Sequence, residues 1–123
     1  MTDAKLDRRI FHLKGLILSD LKRQWTNSEM AKVSHISPPH LQYLFKKHLS
    51  VTPNAFLINA RLEKAAELLL TTDFLIVKEV GFEVGFTSDS HFTRTFKIKY
   101  GFTPTEFRKR YWDSKQLRPT VCD

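Results

Sequence analysis

The sequence predicts an all-α fold of seven helices, built as two similar units that a long central helix joins. Three observations lead to this prediction. Apolar residues recur at spacings of three and four along most of the 123 residues, which is the helical period. No segment alternates polar and apolar residues over the length that a strand would need. A pattern that begins at Ser37 returns at Ser88.

The repeat is the most informative of these observations. In both copies a serine precedes a short helix with one apolar side, and a Thr-Pro pair starts the next helix. The residues that match 51 positions apart are Ser37 and Ser88, His40 and His91, Phe45 and Phe96, Pro53 and Pro104, and Phe56 and Phe107. Upstream, Ala31 and Gly81 match 50 positions apart, so the second copy has one extra residue in its turn.

Three helices are predicted before the central one. The first covers residues 5 to 25, where one side holds Leu6, Ile10, Leu13, Ile17, Leu21 and Trp25. The second begins near Ser28, with Asn27 or Ser28 as its N-cap. Ser37 caps the third, and Pro38 suits its first position because proline lacks the N–H that would need a partner there. Its buried side is predicted to be Leu41, Leu44, Phe45 and Leu49.

The central, fourth helix is predicted to start at Pro53, after a Thr52 cap, and to end near Leu70. Its inward residues are predicted to be Phe56, Ile58, Leu62, Ala65 or Ala66, and Leu69. A fifth helix follows from Ile76 to Val84, although Gly81 within it costs about 1 kcal/mol relative to alanine.

The last two helices repeat the pattern of the third and fourth. Ser88 caps the sixth, Gly101 ends it in a left-handed conformation, and Thr103-Pro104 starts the seventh. The inward residues are predicted to be Phe92, Phe96, Tyr100, Phe107, Tyr111 and Trp112. The predicted domain, 5–112, comprises a first unit over about 5–52, a linker helix over 53–71 and a second unit over about 74–112. Residues 113–123 are predicted to form a flexible tail.

The charge balance favours an anionic partner. Lys and Arg number 20 against 13 Asp and Glu, a net charge of +7, which suits nucleic acid or an anionic membrane surface. The single cysteine, Cys122, excludes an internal disulfide and a cysteine-rich zinc site, and no metal or cofactor is expected. With no signal peptide and no apolar run of roughly 18 residues, we expect a cytoplasmic protein without a membrane partner.

The third and sixth helices suit the role of the second helix of a helix-turn-helix. That helix enters the major groove of DNA, while the first helix crosses the backbone. It needs one apolar side to fix its angle and one polar side to contact the DNA. The polar sides, and so the candidate DNA-binding residues, are Pro39, His40, Gln42, Tyr43, Lys46 and Lys47, and Asp89, Ser90, His91, Thr93, Arg94 and Lys97.

The chemistry of these residues divides between bases and phosphates. Gln42 can pair with adenine and Arg94 with guanine, each discriminating by roughly 1–3 kcal/mol, although Arg94 equally suits a phosphate. The lysines, later in their helices, suit phosphates, as do the backbone N–H groups that start the fourth and seventh helices. A central helix from Pro53 to Leu70 is about 27 Å long. Successive major grooves are roughly 34 Å apart, so one chain can span two of them if the DNA bends.

The second copy resembles the DNA-binding domain of the AraC/XylS family of bacterial transcription regulators. The run from Val80 to Lys97, VGFEVGFTSDSHFTRTFK, carries the resemblance together with YGFTP at 100–104. The first copy agrees through LFKK at 44–47 and the Thr52-Pro53 pair. The resemblance covers roughly residues 6–112 and implies a seven-helix, double helix-turn-helix fold.

The resemblance implies sequence-specific binding of double-stranded DNA and control of transcription, commonly activation through RNA polymerase, at the nucleoid. Carried over by position, the groove-facing residues are Pro39, His40, Gln42, Tyr43 and Lys46, and Asp89, Ser90, His91, Arg94 and Lys97. Most members carry a separate effector-binding or dimerisation domain, which is absent from this sequence. The chain is then either a short stand-alone regulator, which the start at Met1 favours, or the C-terminal part of a longer protein.

Three residues depart from the family pattern. Gly81 stands in place of alanine and is expected to loosen the fifth helix. Ser50 stands in place of glycine where the third helix ends. Asp89 stands in place of a neutral polar residue, which qualifies the base contacts of the second unit.

Two other classes of function compete with DNA binding. One is a protein-interaction module that docks on RNA polymerase without specific DNA binding, for which Asp89 leaves room. The other is an enzyme, for which Glu63 and Glu67 on one helix side resemble a carboxylate pair but lie in no implied pocket. The run Arg108-Lys109-Arg110 is expected to be a solvated face or to contact phosphates. Because the two polar sides differ, the expected DNA site is asymmetric.

Overall fold

The computed structural model describes residues 7–115, and side chains through Trp112. Seven helices and no strand occupy this range, which confirms the all-α prediction. The helices are α1 Arg8–Ser19, α2 Asn27–Ser34, α3 Pro38–Leu49, α4 Pro53–Thr71, α5 Val77–Glu83, α6 Asp89–Tyr100 and α7 Pro104–Lys115. Leu6 and Cys122 lie outside the described residues. Of the predicted tail, 113–123, residues 113–115 belong to α7, and the rest lies outside the described residues. The chain divides into two compact units between Ala60 and Arg61, within α4.

The first unit packs around the buried side of α1. This helix contacts α2 and α3, which also contact each other. The rings of Phe45 and Phe56 meet edge to face, with 5.7 Å between their centroids. The buried cluster comprises Ile10, Leu13, Ile17, Trp25, Met30, Ala31, Leu41, Leu44, Phe45 and Leu57. Because α3 buries its apolar side here, its polar side is left facing solvent.

The second unit has an aromatic core. Phe92 and Phe96 of α6 are fully buried, and their ring centroids lie 5.8 Å apart. Phe92 also contacts Phe86, and Phe96 contacts Phe107 of α7, each pair at 5.2 Å. The aliphatic part of this core is Leu62, Ala65 and Leu69 of α4, and Val80 and Val84.

Gly81 allows α5 to approach α6 closely. A Cβ added to Gly81 would lie 2.5 Å from Cδ2 of Phe92, a buried ring that has no room to move. The matching pair in the first unit is Ala31 and Leu41, and both belong to its core. Gly81 therefore accommodates a larger partner on α6, and it is a packing feature of α5 rather than the weak point that the sequence suggested.

The prediction for the first helix was wrong beyond residue 19. The N–H of Asp20 bonds to the Ile17 carbonyl, and at φ −149° Asp20 has left the helical conformation. Trp25 lies outside the helix but is still buried in the apolar cluster, where its Nε1 donates to the Asp20 carbonyl at 2.9 Å. The apolar spacing therefore continues past the end of α1, because a residue outside a helix can also be buried in the core.

Smaller differences concern the caps and one inward residue. Thr26, rather than Asn27 or Ser28, caps α2, since its Oγ1 accepts a hydrogen bond from the Glu29 N–H at 3.0 Å. Helix α5 begins one residue later than predicted and ends at Glu83, since Ile76 is its N-cap and is 60% exposed. On α4, Leu57 is buried, whereas the predicted neighbours Phe56 and Ile58 are only half-buried.

Both helix-turn-helix turns end their first helix with the same hydrogen bond. The Ile36 N–H donates to the Ala31 carbonyl at 3.2 Å, and the Phe86 N–H donates to the Gly81 carbonyl at 3.0 Å. A bond across five residues at a helix end is typical of the Schellman motif. The two turns therefore match up to this point at the 50-residue spacing seen in the sequence.

The turns differ immediately afterwards. His35 and Gly85 occupy the same left-handed position, at φ 60° and φ 113°. In the first unit the next cap, Ser37, follows after one more residue. In the second unit Thr87 is inserted before the cap Ser88, so Thr87 is the extra residue that the spacing predicted.

Candidate nucleic-acid interface

The polar side of α3 is exposed and begins at a well-formed cap. The Ser37 Oγ accepts a hydrogen bond from the His40 N–H at 3.3 Å, as predicted. Of the six candidate residues here, Gln42 is half-buried, and the other five are exposed. Those five are Pro39, His40, Tyr43, Lys46 and Lys47. The structure therefore brings all six to one side of one helix.

Tyr43 stands at the centre of an aromatic and cationic group on this side. Its side chain is 60% exposed, and its ring centroid lies 6.5 Å from that of His40. The Lys47 ammonium lies 5.8 Å from the centre of the same ring. Residues three and four positions apart are neighbours on a helix, so these groups form one continuous surface.

The polar side of α6 carries three charged candidates, one acidic and two basic, whereas that of α3 carries two lysines. The Ser88 Oγ accepts from the His91 N–H at 3.2 Å, which confirms the predicted cap. An open depression on this side is lined by Asp89, Ser90, Thr93, Arg94, Lys97 and Ile98. The structure therefore places five of the six candidates of the second unit around one concave surface.

His91 is the candidate that stands apart. Its ring packs edge-on against Phe86, with 5.4 Å between the centroids, and its side chain is half-buried. Part of His91 is thus committed to the core, which leaves a smaller surface for a partner than its counterpart His40 offers.

Ile98 is a surface residue that the sequence analysis missed. It is 79% exposed, more than any other large hydrophobic residue that the structure describes, and it lies one helical turn beyond Arg94. A signal was present, because Ile98 lies 51 positions after Lys47, which was a candidate. An exposed isoleucine at this place can make the apolar contacts that a polar side chain cannot.

The starts of α4 and α7 are capped differently. The Thr52 Oγ1 accepts from the Ala55 N–H at 3.1 Å, and the Thr103 Oγ1 accepts from the Glu106 N–H at 3.2 Å. Only Glu106 also reaches back, accepting from the Thr103 N–H at 3.0 Å, and this hydrogen bond lowers the pKa of Glu106. A carboxylate at the start of α7 disfavours a phosphate there, so the predicted phosphate contact suits α4 better.

Arg108 is a structural residue and not part of a solvated charge run. Its guanidinium donates to three backbone carbonyls, those of Leu69 at 3.0 Å, Thr72 at 2.7 Å and Leu75 at 2.7 Å. Burial lowers the pKa of Arg108. The side chain thus holds the connection from α4 to α5, while Lys109 and Arg110 are exposed.

Two units that each present a capped, polar-sided second helix define a double helix-turn-helix domain. The family model described as a helix-turn-helix domain matches residues 30–110. The chain belongs to this AraC-type helix-turn-helix family, whose members are DNA-binding transcription regulators rather than enzymes.

Curated relatives agree over most of the chain. The uncharacterized HTH-type transcriptional regulator YfiF of Bacillus subtilis is 40% identical over 115 residues, which are 94% of this chain and 33% of that protein. The HTH-type transcriptional regulator MtrA of Neisseria gonorrhoeae is 33% identical over 103 residues, 84% of this chain and 34% of that protein. The chain thus spans about a third of the length of these relatives.

Solved structures show the same fold. The C-terminal domain of AraT, a response regulator from Geobacillus stearothermophilus, has a TM-score of 0.82 at 26% identity and covers 97% of this chain and 94% of its own. The DNA-binding domain of AdpA, solved in complex with a target DNA, has a TM-score of 0.85 at 24% identity, covering 89% and 98%.

No helix between residues 7 and 115 is long and apolar enough to cross a membrane. In the same range, no group of three or more His, Cys, Asp or Glu side chains is placed to hold a metal ion.

Proposed function

We propose that this chain binds specific sequences in double-stranded DNA and regulates transcription, with α3 and α6 entering successive major grooves. The observation that carries the proposal is that both units turn a capped helix with a polar, largely cationic side toward solvent. The continuous helix α4, at 19 residues and about 28 Å, suits a link between two groove-binding elements.

Base recognition is assigned to one long side chain in each unit. Gln42 has an amide that matches adenine, and Arg94 has a guanidinium that matches guanine. Exposed Lys46 and Lys97 suit phosphates, because an ammonium is a point charge without the fixed geometry that base recognition needs. The remaining candidates, Pro39, His40, Tyr43, Lys47, Asp89, Ser90, His91 and Thr93, shape the two surfaces around these anchors.

Ile98 extends the surface of the second unit. An apolar side chain in the major groove can contact the C5 methyl group of thymine. We assign this contact to Ile98, because it lines the same depression as Arg94. Replacing thymine by uracil in the bound site should weaken binding of the native chain and leave binding of Ile98→Ala unchanged.

The regulatory consequence is proposed to be activation through RNA polymerase, in the bacterial cytoplasm at the nucleoid. A module that docks on polymerase without DNA is not favoured, because the cationic sides of α3 and α6 suit a polyanion. Two results would support that module instead. They are association with polymerase that does not vary with salt, and no retention of DNA at low salt.

A salt titration of DNA binding tests the proposal. The affinity for a selected duplex should fall steeply with salt, because bound cationic side chains release counterions. Lys46→Ala should weaken binding to matched and scrambled duplexes alike and reduce the salt slope by about 1. Arg94→Ala should instead lose mainly the preference for the matched duplex. Equal losses on both duplexes for every variant would contradict base recognition.

A further inference from the structure

A cleft lined by basic residues lies in the first unit, away from the candidate residues of α3. It has a volume of about 250 Å³ and lies between the start of α1 and the end of α2. The described residues that line it are Arg8, Arg9, His12, Val33, Ser34 and His35. Four of these six side chains are basic and none is acidic, so the cleft suits an anion.

Ser34 is the unusual member of this lining. It is only 4% exposed, and its Oγ has no hydrogen-bond partner among the described residues. An unsatisfied buried hydroxyl is unfavourable, so native structures nearly always provide a partner for it. In the second unit the matching position, 50 residues later, is Val84, a buried residue that needs none. The hydroxyl is therefore a departure from the repeat that core packing does not require.

The cations of the cleft are not equally available. Arg9 is bound by Asp7, with its Nη2 2.9 Å and its Nε 3.1 Å from the two carboxylate oxygens. The Arg9 side chain is the main reason that the pKa of Asp7 is lowered to about 2, so this pair stays charged. Arg8 is exposed and forms no ion pair with a residue that the structure describes. The Arg8 guanidinium is thus available to pair with a bound anion.

Two backbone carbonyls at the nearby end of α2 already accept hydrogen bonds from the turn that follows. Those of Ala31 and Lys32 accept hydrogen bonds from the Ile36 and His35 N–H groups. The imidazoles of His12 and His35 can donate an N–H even when neutral. A guanidinium, two imidazoles and a hydroxyl together match the oxygens of a tetrahedral oxyanion.

We propose that this cleft binds a phosphate group. Arg8 supplies the positive charge, and the Ser34 side chain changes rotamer so that its buried Oγ donates a hydrogen bond to a phosphate oxygen. The phosphate is either a free phosphate ion or one phosphate of the DNA backbone. The proposal is independent of base recognition by α3 and α6, and its first test needs no DNA.

The first test is a titration of the full chain with inorganic phosphate at constant ionic strength, observed through backbone amide NMR signals. The expected result is a saturable shift of the Ser34 and His35 signals that chloride does not produce. Arg8→Ala should weaken the apparent affinity at least tenfold, and Ser34→Ala several-fold. The matched control is Lys22→Ala, which removes one exposed positive charge outside the cleft and should change nothing.

The second test distinguishes the source of the phosphate. If a DNA phosphate occupies the cleft, Arg8→Ala should lower the salt slope of DNA binding by about 1, and Lys22→Ala should not. If phosphate shifts the signals but Arg8→Ala leaves the salt slope unchanged, the ligand is a free phosphate ion. If Arg8→Ala lowers the salt slope but phosphate shifts no signals, the ligand is a DNA phosphate. Absence of both effects, with Ser34→Ala folding and binding DNA as the native chain does, would overturn the proposal.

Discussion

In the first unit His35 and Ser50 hold the two left-handed positions, at φ 60° and 65°, whereas Gly85 and Gly101 hold them in the second. Residues other than glycine are strained in this conformation, so the first unit keeps the same backbone at a greater cost in free energy. The second unit instead has its own supports, the three hydrogen bonds of Arg108 and the reciprocal cap of Glu106. One backbone pattern is thus maintained by two different sets of interactions.

The largest expected effect is loss of the Arg108 hydrogen bonds. Arg108→Ala should lower the free energy of unfolding by about 3 kcal/mol, because three backbone carbonyls lose a charged donor. Urea denaturation gives the change, and amide hydrogen exchange should show it in residues 61–112. Lys109→Ala, the exposed neighbour, is the matched control and should be nearly neutral. A loss of amide protection confined to residues 7–60 would contradict the role of Arg108 in stabilising the second unit.

The next effect concerns the pair Gly81 and Phe92. Gly81→Ala should destabilise by about 1–2 kcal/mol, because overpacking against the buried ring exceeds the gain in helix propensity. The change Phe92→Leu, which copies Leu41 of the first unit, should make the added methyl group tolerable. Thermal denaturation of the two single variants and the double variant measures the coupling. Strictly additive changes would show that the pair does not compensate in this way.

Exchanging serine and glycine at the two positions with left-handed backbone conformation should change stability in opposite directions. Ser50→Gly should stabilise by up to about 1 kcal/mol, because glycine adopts positive φ without strain. Gly101→Ser should destabilise by about 1 kcal/mol at φ 86°, although open space surrounds that position. Denaturation midpoints under identical conditions provide the comparison. Two changes of the same sign would contradict backbone strain as the cause.

The smallest expected effect is the extra cap of α7. The pKa of Glu106 is lowered because the carboxylate accepts the Thr103 N–H, so the folded state favours the charged form. The stabilisation is therefore present above the unfolded pKa of about 4.3 and is lost as pH falls through the lowered folded value. Glu106→Gln should remove this pH dependence. An NMR titration in which Glu106 ionises at its ordinary pKa would refute the cap.

The sequence was sufficient for the fold because the repeat and the serine and threonine caps are local signals. Ser37 and Ser88 cap the predicted helices, and the offset of 50 located the turn that Thr87 lengthens. The sequence did not show that α1 ends before Trp25, because a residue buried outside a helix can have the same spacing as one buried within it. Arg108 could not be assigned either, since its three carbonyl partners lie 33 to 39 residues away along the chain.

The candidate site was predictable to a similar degree. The polar sides of α3 and α6 follow from periodicity, and the structure places their residues together on each helix. The partial commitment of His91 to Phe86 and the exposure of Ile98 depend on packing in three dimensions, which a single sequence does not report.

The most direct test of two different groove-binding units is selection of bound duplexes from a random pool, followed by sequencing. The native chain should select an asymmetric, two-part motif with halves about one helical turn apart. Gln42→Ala should relax one half only, and Arg94→Ala only the other. A palindromic motif, a single half, or relaxation of the same half by both variants would contradict two units that recognise different sequences.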